Sequence, residues 1–137
     1  MSDWFDKIVE KYPLPFQQEG RCRYAACGEG WKDLLERLIF GIHAHLHANP
    51  ELPFRLNDIK EKYGTLHFYY DGGDDKIEEL GEEAEFWSAR TCDVCGKPGI
   101  LCGQGWVQTR CPEHKPPNAP WCQKLSDWEH ADENDAE

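Results

Sequence analysis

The sequence between residues 92 and 114 begins Cys92-Asp93-Val94-Cys95-Gly96 and ends Cys111-Pro112-Glu113-His114. Each end carries two side chains of the kind that bind zinc, separated by two residues, and this spacing lets a tight turn hold one side of a tetrahedral ion. Gly96 supplies the permissive backbone that such a turn needs. Three thiolates and one imidazole fill all four positions, so the pattern predicts one structural zinc ion bound by Cys92, Cys95, Cys111 and His114.

The residues between the two ligand pairs predict a small antiparallel hairpin. Residues 99–102 and 106–109 flank the turn sequence Gly103-Gln104-Gly105. A hairpin between two such pairs is typical of a treble clef or a zinc ribbon. Cys102 offers a further thiolate that could replace His114 as the fourth ligand, although the paired spacing favours His114.

The remaining pattern predicts an α+β fold, with helices packed on a small antiparallel β-hairpin sheet. Residues 54–70 alternate apolar and polar side chains around Gly64, as a hairpin does. Three stretches show helical spacing of apolar residues. They are residues 2–12 capped by Ser2, residues 31–48, and residues 74–90 capped by Asp74 or Asp75.

A chain of 137 residues suits a single domain. We assign residues 1–115 to one α+β domain that includes the zinc module, residues 91–115. Residues 116–137 are rich in proline and acidic side chains and are predicted to be a tail. Within it, Trp121 is expected to hold the tail against the domain, and Trp128 to serve a partner.

Composition limits the classes of partner. A formal net charge of −11 opposes general nucleic-acid binding, because phosphate contacts need clustered Lys and Arg. An acidic protein suits a protein partner with a basic surface. We expect a cytoplasmic protein without a membrane segment, because the sequence shows no secretory signal and no apolar run long enough to cross a bilayer.

Cysteines and histidines outside the zinc pattern leave a second metal site open. Cys22 and Cys27 are five residues apart, which is not zinc-type spacing, and Cys122 is a further thiol. His43 and His47 share a helix face but lack the glutamate of a metalloprotease helix. Small buried cysteines and cations at a helix C-terminus are the simpler interpretations.

Longer motifs add a resemblance to a known family. They are Gly28-Glu29-Gly30-Trp31, the segment 58–73 (DIKEKYGTLHFYYDGG), Ser88-Ala89-Arg90-Thr91-Cys92, and the segment 105–114 (GWVQTRCPEH). Over residues 27–114 the chain resembles a family of small uncharacterised bacterial and bacteriophage zinc-binding proteins. The resemblance implies the same zinc module and no assigned activity. Cys102, the histidine-rich helix end and the tail depart from the family pattern, so specificity is expected there.

These observations predict a small, zinc-stabilised interaction or regulatory protein, for example a phage-encoded inhibitor of a host defence protein, rather than an enzyme. One alternative is a metal-dependent hydrolase or nuclease that uses His43, His47, His67 or Asp71 around an open metal site. Another is a DNA-binding zinc protein, for which Lys97, Arg110 and Lys115 give the zinc module a milder local charge.

Overall fold

A computed structural model describes residues 3–122 of the chain. The predictions for the Ser2 cap, for Trp128 and for the acidic residues of the tail fall outside this range. Within it the protein is α+β, with three α-helices and two small sheets, which confirms the predicted class.

The three α-helices are those that the apolar spacing predicted. They are α1 (Asp3–Lys11), α2 (Lys32–Ala48) and α3 (Asp75–Ser88). A 3-10 turn, Glu29–Trp31, leads into α2. The helix α3 ends two residues before the predicted Arg90, because its last turn tightens and the Arg90 N–H bonds to the carbonyl of Trp87 at 3.0 Å.

The first sheet contains β1 (Ala25–Ala26), β2 (Phe54–Lys62) and β3 (Thr65–Gly72), in that order across the sheet. As predicted, β2 and β3 form an antiparallel hairpin. The sheet extends beyond the predicted antiparallel hairpin, because a third strand, β1, pairs with β2 in parallel. Two alanines carry no alternation of polarity, so nothing in their sequence marks them as a strand.

One apolar core joins the helices to the inner face of this sheet. From α2 it takes the stripe Leu35, Leu38, Ile39, Ile42 and Leu46, all buried. The hairpin contributes alternating buried residues such as Leu56, Ile59 and Leu66, while α1 and α3 add Phe5, Ile8 and Ile77. Burial of these side chains is the main stabilising term of the fold.

The second sheet is a short hairpin of β4 (Ile100–Cys102) and β5 (Gln108–Arg110), as predicted. It packs on the turn of the β2–β3 hairpin, where the Thr109 hydroxyl donates to the Gly64 carbonyl at 2.6 Å. The start of the predicted tail runs beside β4, since the Gly103 N–H bonds to Pro120 and the Cys122 N–H to Leu101.

Trp121 lies between these two hydrogen bonds, paired with Cys102 of β4. The Lys115 ammonium lies over its ring, 5.3 Å from the ring centre. Trp121 therefore holds residues 120–122 against the zinc module, as the sequence predicted.

Among residues 3–122, no helix combines the length and the apolar character that crossing a membrane requires.

Asp74 caps the start of α3 and gives a prediction for the helix. Its carboxylate accepts from the Ile77 N–H at 3.2 Å and lies 2.8 Å from Nε2 of His45. The hydrogen bond from His45, with help from backbone N–H groups, lowers the pKa of Asp74. This lowered pKa stabilises the fold above the ordinary carboxyl range, and the contribution is lost as pH falls through the folded-state pKa.

We expect Asp74→Ala to lower the melting temperature by roughly 4 °C at pH 7, because the cap is lost. Asp74→Asn keeps a capping oxygen and should lose less. Thermal melts monitored by circular dichroism at pH 7 and pH 3 test this, since the difference between wild type and Asp74→Ala should shrink at pH 3. Equal melting temperatures for all three proteins at pH 7 would contradict the capping role.

Candidate metal centre

The four predicted zinc ligands come together in the folded chain. One ligand atom from each of Cys92, Cys95, Cys111 and His114 lies within 4.8 Å of the other three. The Cys95 and Cys111 sulfurs are 3.7 Å apart, and Nδ1 of His114 is 3.7 Å from the sulfur of Cys92 and 3.2 Å from that of Cys111. With Zn–S of about 2.3 Å and Zn–N of about 2.0 Å, the edges of a tetrahedron are about 3.5–3.8 Å. Two of the three distances are close to these edges and the third is shorter, so the four side chains are near enough to hold one metal ion.

Two tight turns hold the ligand pairs. In the first, the Gly96 N–H bonds to the carbonyl of Cys92 at 3.0 Å, and the Cys92 N–H bonds to Lys97 at 2.8 Å. Gly96 has φ +82°, a conformation that favours glycine, which explains the glycine just after Cys95. In the second turn, directly after β5, the His114 N–H bonds to Cys111 at 3.1 Å. Hydrogen bonds within each turn thus fix the positions of both ligand pairs.

The 3-10 turn that leads into α2 contacts the turn of the first ligand pair. The Gly30 N–H donates to the Asp93 carbonyl at 3.0 Å, and Nε1 of the fully buried Trp31 donates to the Thr91 carbonyl at 2.8 Å. A side chain at position 30 would place its Cβ 2.2 Å from the Cys92 carbonyl oxygen, and one at position 28 would lie 2.0 Å from that of Asp93. Both glycines are therefore required by close backbone contact, and we call residues 28–31 the glycine clamp.

A largely buried ion pair also links the two ligand pairs. Nε of Arg110 bonds to the carboxylate of Asp93, and its Nη1 donates to the carbonyl of His114 at 3.1 Å. Burial raises the pKa of Asp93, although the guanidinium acts against this. From its sequence context, Arg110 was only one of three cations that make the charge of the zinc module milder. Nothing in the sequence around Arg110 indicates that it pairs with Asp93, which lies seventeen residues earlier.

Backbone donors and burial act in opposite directions on the thiols. Burial favours the neutral thiol of Cys92, but N–H groups of Cys111, Cys95 and Val94 point at its sulfur, and together with the Cys111 thiol they lower its pKa. Burial and the neighbouring thiols raise the pKa of Cys111 to about 11. A cation at the centre would favour the thiolates of both residues, because metal binding displaces their protons.

Cys102 does not join the cluster. It is fully buried on β4, where it pairs with Gln108 on one side and Trp121 on the other. Burial raises the pKa of its thiol. In this fold the fourth group of the cluster is His114.

The other cysteines form no second cluster in the part of the chain that the structure describes, where only one group of metal-binding side chains was found. The thiol of Cys22 donates to the Tyr24 carbonyl at 3.0 Å. Burial raises the pKa of Cys27 to about 12, as expected of a small buried apolar side chain. Cys122 is exposed beside β4.

Three of the four residues named for an open catalytic metal site bond to other partners. Nδ1 of His43 accepts from the Leu14 N–H at 3.3 Å, and the imidazole of His67 bonds to the Thr65 hydroxyl at 2.9 Å. Asp71 pairs with Arg55 across the hairpin. The structure does not bring His43, His47, His67 and Asp71 into one cluster within residues 3–122.

Comparisons with protein-family models, with curated proteins and with solved structures found no match for this chain. The resemblance to small bacterial and bacteriophage zinc-binding proteins therefore stays a prediction.

Proposed function

We propose that Cys92, Cys95, Cys111 and His114 bind one zinc ion and that this ion stabilises the fold rather than catalysing a reaction. The observation that carries this is the closed set of four ligand atoms within 4.8 Å of one another. Three thiolates and an imidazole favour a soft, tetrahedral ion over Mg²⁺ or Ca²⁺. A saturated ion leaves no position for a reacting water molecule.

The module around the ion is of the treble-clef or zinc-ribbon type. The order of its parts supports this assignment: a ligand turn at residues 92–95, the β4–β5 hairpin, and a second ligand turn at residues 111–114. The first turn contacts α2 through the glycine clamp. In this arrangement the metal connects the hairpin to the main core.

The protein that results is a small, acidic interaction or regulatory protein. Its net charge of −11 suits a cytoplasmic protein partner with a basic surface, reached first by the acidic residues of the tail. An inhibitor of a host defence protein, made in a phage-infected cell, has this size and charge.

The two alternatives lack such support. A hydrolase or nuclease needs an open metal site, whereas the cluster offers four protein ligands. A DNA-binding module needs free cations, but Arg110 is paired with Asp93 and Lys97 lies 3.9 Å from Glu113. The Lys115 ammonium bonds to the Ala119 carbonyl.

Metal analysis tests the zinc proposal. We expect one equivalent of zinc per chain, measured by plasma mass spectrometry on protein purified without added metal. His114→Ala should lose most of the zinc, because it removes a ligand. Cys102→Ala is the matched control, because Cys102 was the other candidate for the fourth ligand. This variant should keep one equivalent of zinc. Zinc retained by His114→Ala and lost by Cys102→Ala would reverse the ligand assignment, and two equivalents would restore the second site.

Partner capture tests the functional proposal. We expect immobilised full-length protein to retain a specific protein with a basic surface from the native host's extract, identified by mass spectrometry. Capture should weaken when the six acidic residues beyond Cys122 are changed to their amides, because the attraction is electrostatic. The chain is kept at full length in this experiment, because the backbone of residues 120–122 pairs with β4. Recovery of only a small metabolite would point to another class of function.

A further inference from the structure

The outer face of the β2–β3 hairpin is the surface that turns away from the core. It carries the alternate residues of each strand, among them Lys60, Lys62, His67 and Tyr69, whereas inward residues such as Leu56, Ile59 and Leu66 are buried. Tyr69 is 40% exposed on this face, and Tyr63, in the turn at its end, is 75% exposed. Exposed tyrosines beside lysines form a surface that suits a carboxylate-rich, aromatic ligand.

Positive charge on this face increases toward the turn. At the far end Arg55 is neutralised by Asp71, and in the middle the Lys60 ammonium is 4.0 Å from a carboxylate oxygen of Asp58. Near the turn Lys62 makes no ion pair with any residue from 3 to 122, and its ammonium lies over the Tyr63 ring. The turn end of the outer face is therefore the part best suited to bind an anion.

Tyr63 holds a backbone conformation that costs stability. Its φ is +55°, in the left-handed region, where a bulky side chain is disfavoured and asparagine or glycine is usual. The aromatic ring gains little from burial, because it is the most exposed large apolar side chain in the described chain. A strained and exposed aromatic residue points to a contact outside the described residues.

The described chain ends at the same place. Cys122 bonds to the carbonyl of Leu101, and a Cβ built on Gly64 would lie 2.6 Å from Cδ2 of Leu101. One residue thus touches both the last described residue and the hairpin turn. The segment that follows contains six carboxylates, one lysine and Trp128.

We propose that residues 123–137 bind to the outer face of the β2–β3 hairpin of their own chain, with carboxylates at Lys60 and Lys62 and Trp128 against the exposed tyrosines. Fifteen residues can extend to about 50 Å, while the eight residues of β3 span about 27 Å. The tether keeps the tail at an effective concentration of the order of mM, so a weak contact is enough.

Carbodiimide cross-linking of the full-length protein tests this directly. The reagent joins a lysine to a carboxylate in contact with it, and mass spectrometry identifies the pair. A mixture of ¹⁴N and ¹⁵N protein separates links within one chain from links between chains. We expect Lys60 and Lys62 to join tail carboxylates within one chain about threefold more than Lys32 or Lys76 does, and 0.5 M NaCl to abolish most of this excess because salt screens the attraction.

A charge-neutral tail gives a second readout in the intact chain. It carries Asp127→Asn, Glu129→Gln, Asp132→Asn, Glu133→Gln, Asp135→Asn and Glu137→Gln. Acetylation of Lys60 and Lys62 should become about twofold faster in this variant, with the rates at Lys32 and Lys76 unchanged as internal controls. Even cross-linking over all lysines, links only between chains, or unchanged acetylation would each overturn the proposal.

Discussion

Cys92→Ser should lose the proposed zinc ion and lower the melting temperature by roughly 15 °C, the largest effect we expect from a single substitution. The sulfur of Cys92 is fully buried between the other ligands, and a serine hydroxyl is a poor zinc ligand. Loss of a structural metal costs more than about 4 kcal/mol in free energy of unfolding. Differential scanning fluorimetry together with zinc analysis measures both consequences on the same sample.

The matched control is Cys122→Ser. Cys122 is also a cysteine of the module region, but it is exposed and lies outside the cluster. Its substitution should leave zinc content and melting temperature unchanged within a degree or two. Chelation of the wild-type protein should reproduce the Cys92→Ser melt. If Cys92→Ser melts like the wild type, the cluster does not stabilise the fold through a metal.

The second large effect is expected at the glycine clamp. Gly30→Ala would place a Cβ 2.2 Å from the carbonyl oxygen of Cys92 and 2.7 Å from the nitrogen of Val94. These are backbone atoms of the ligand turn, so either α2 or the turn must move. We expect a loss of about 3 kcal/mol in free energy of unfolding and faster transfer of zinc to a chromogenic chelator. Urea denaturation and the kinetics of zinc release measure the two effects.

Gly41→Ala, inside α2, is the control. Its new Cβ would meet only the tip of the Leu80 side chain, at 2.9 Å, and alanine is the better helix former. The expected change in stability is within about 1 kcal/mol, with no change in zinc release. Equal effects at positions 30 and 41 would mean that the clamp does not couple α2 to the metal site.

The sequence predicted the ligand cluster well because ligand chemistry restricts which residues can take part. A C-x-x-C turn and a C-x-x-H turn are local patterns, and Cys92, Cys95, Cys111 and His114 do come together. Helices α2 and α3 were predicted for a similar reason, since each shows its buried stripe within a few turns of sequence.

Contacts made through the backbone could not be predicted in the same way. The strand β1 and the segment 120–122 pair with β2 and β4 through peptide groups, which every residue type possesses. Residues 116–137 are rich in proline and acidic side chains, so the sequence predicted a tail that begins at residue 116 and gave no sign of the pairing at residues 120–122. The glycine clamp and the Arg110–Asp93 pair join distant segments, so each partner taken alone has an ordinary sequence context.

The glycine clamp has a consequence for how the protein is made. The hydrogen bond from Trp31 to Thr91 joins residues sixty positions apart, and the last ligand of the cluster, His114, comes later still. At about ten residues per second, roughly eight seconds of synthesis separate Trp31 from His114. During that time α2 and the β2–β3 hairpin can fold on the ribosome. Trp31 cannot yet form its hydrogen bond, because Thr91 has not been translated. The proposed zinc ion can therefore find its full set of four ligands only after His114 has been made.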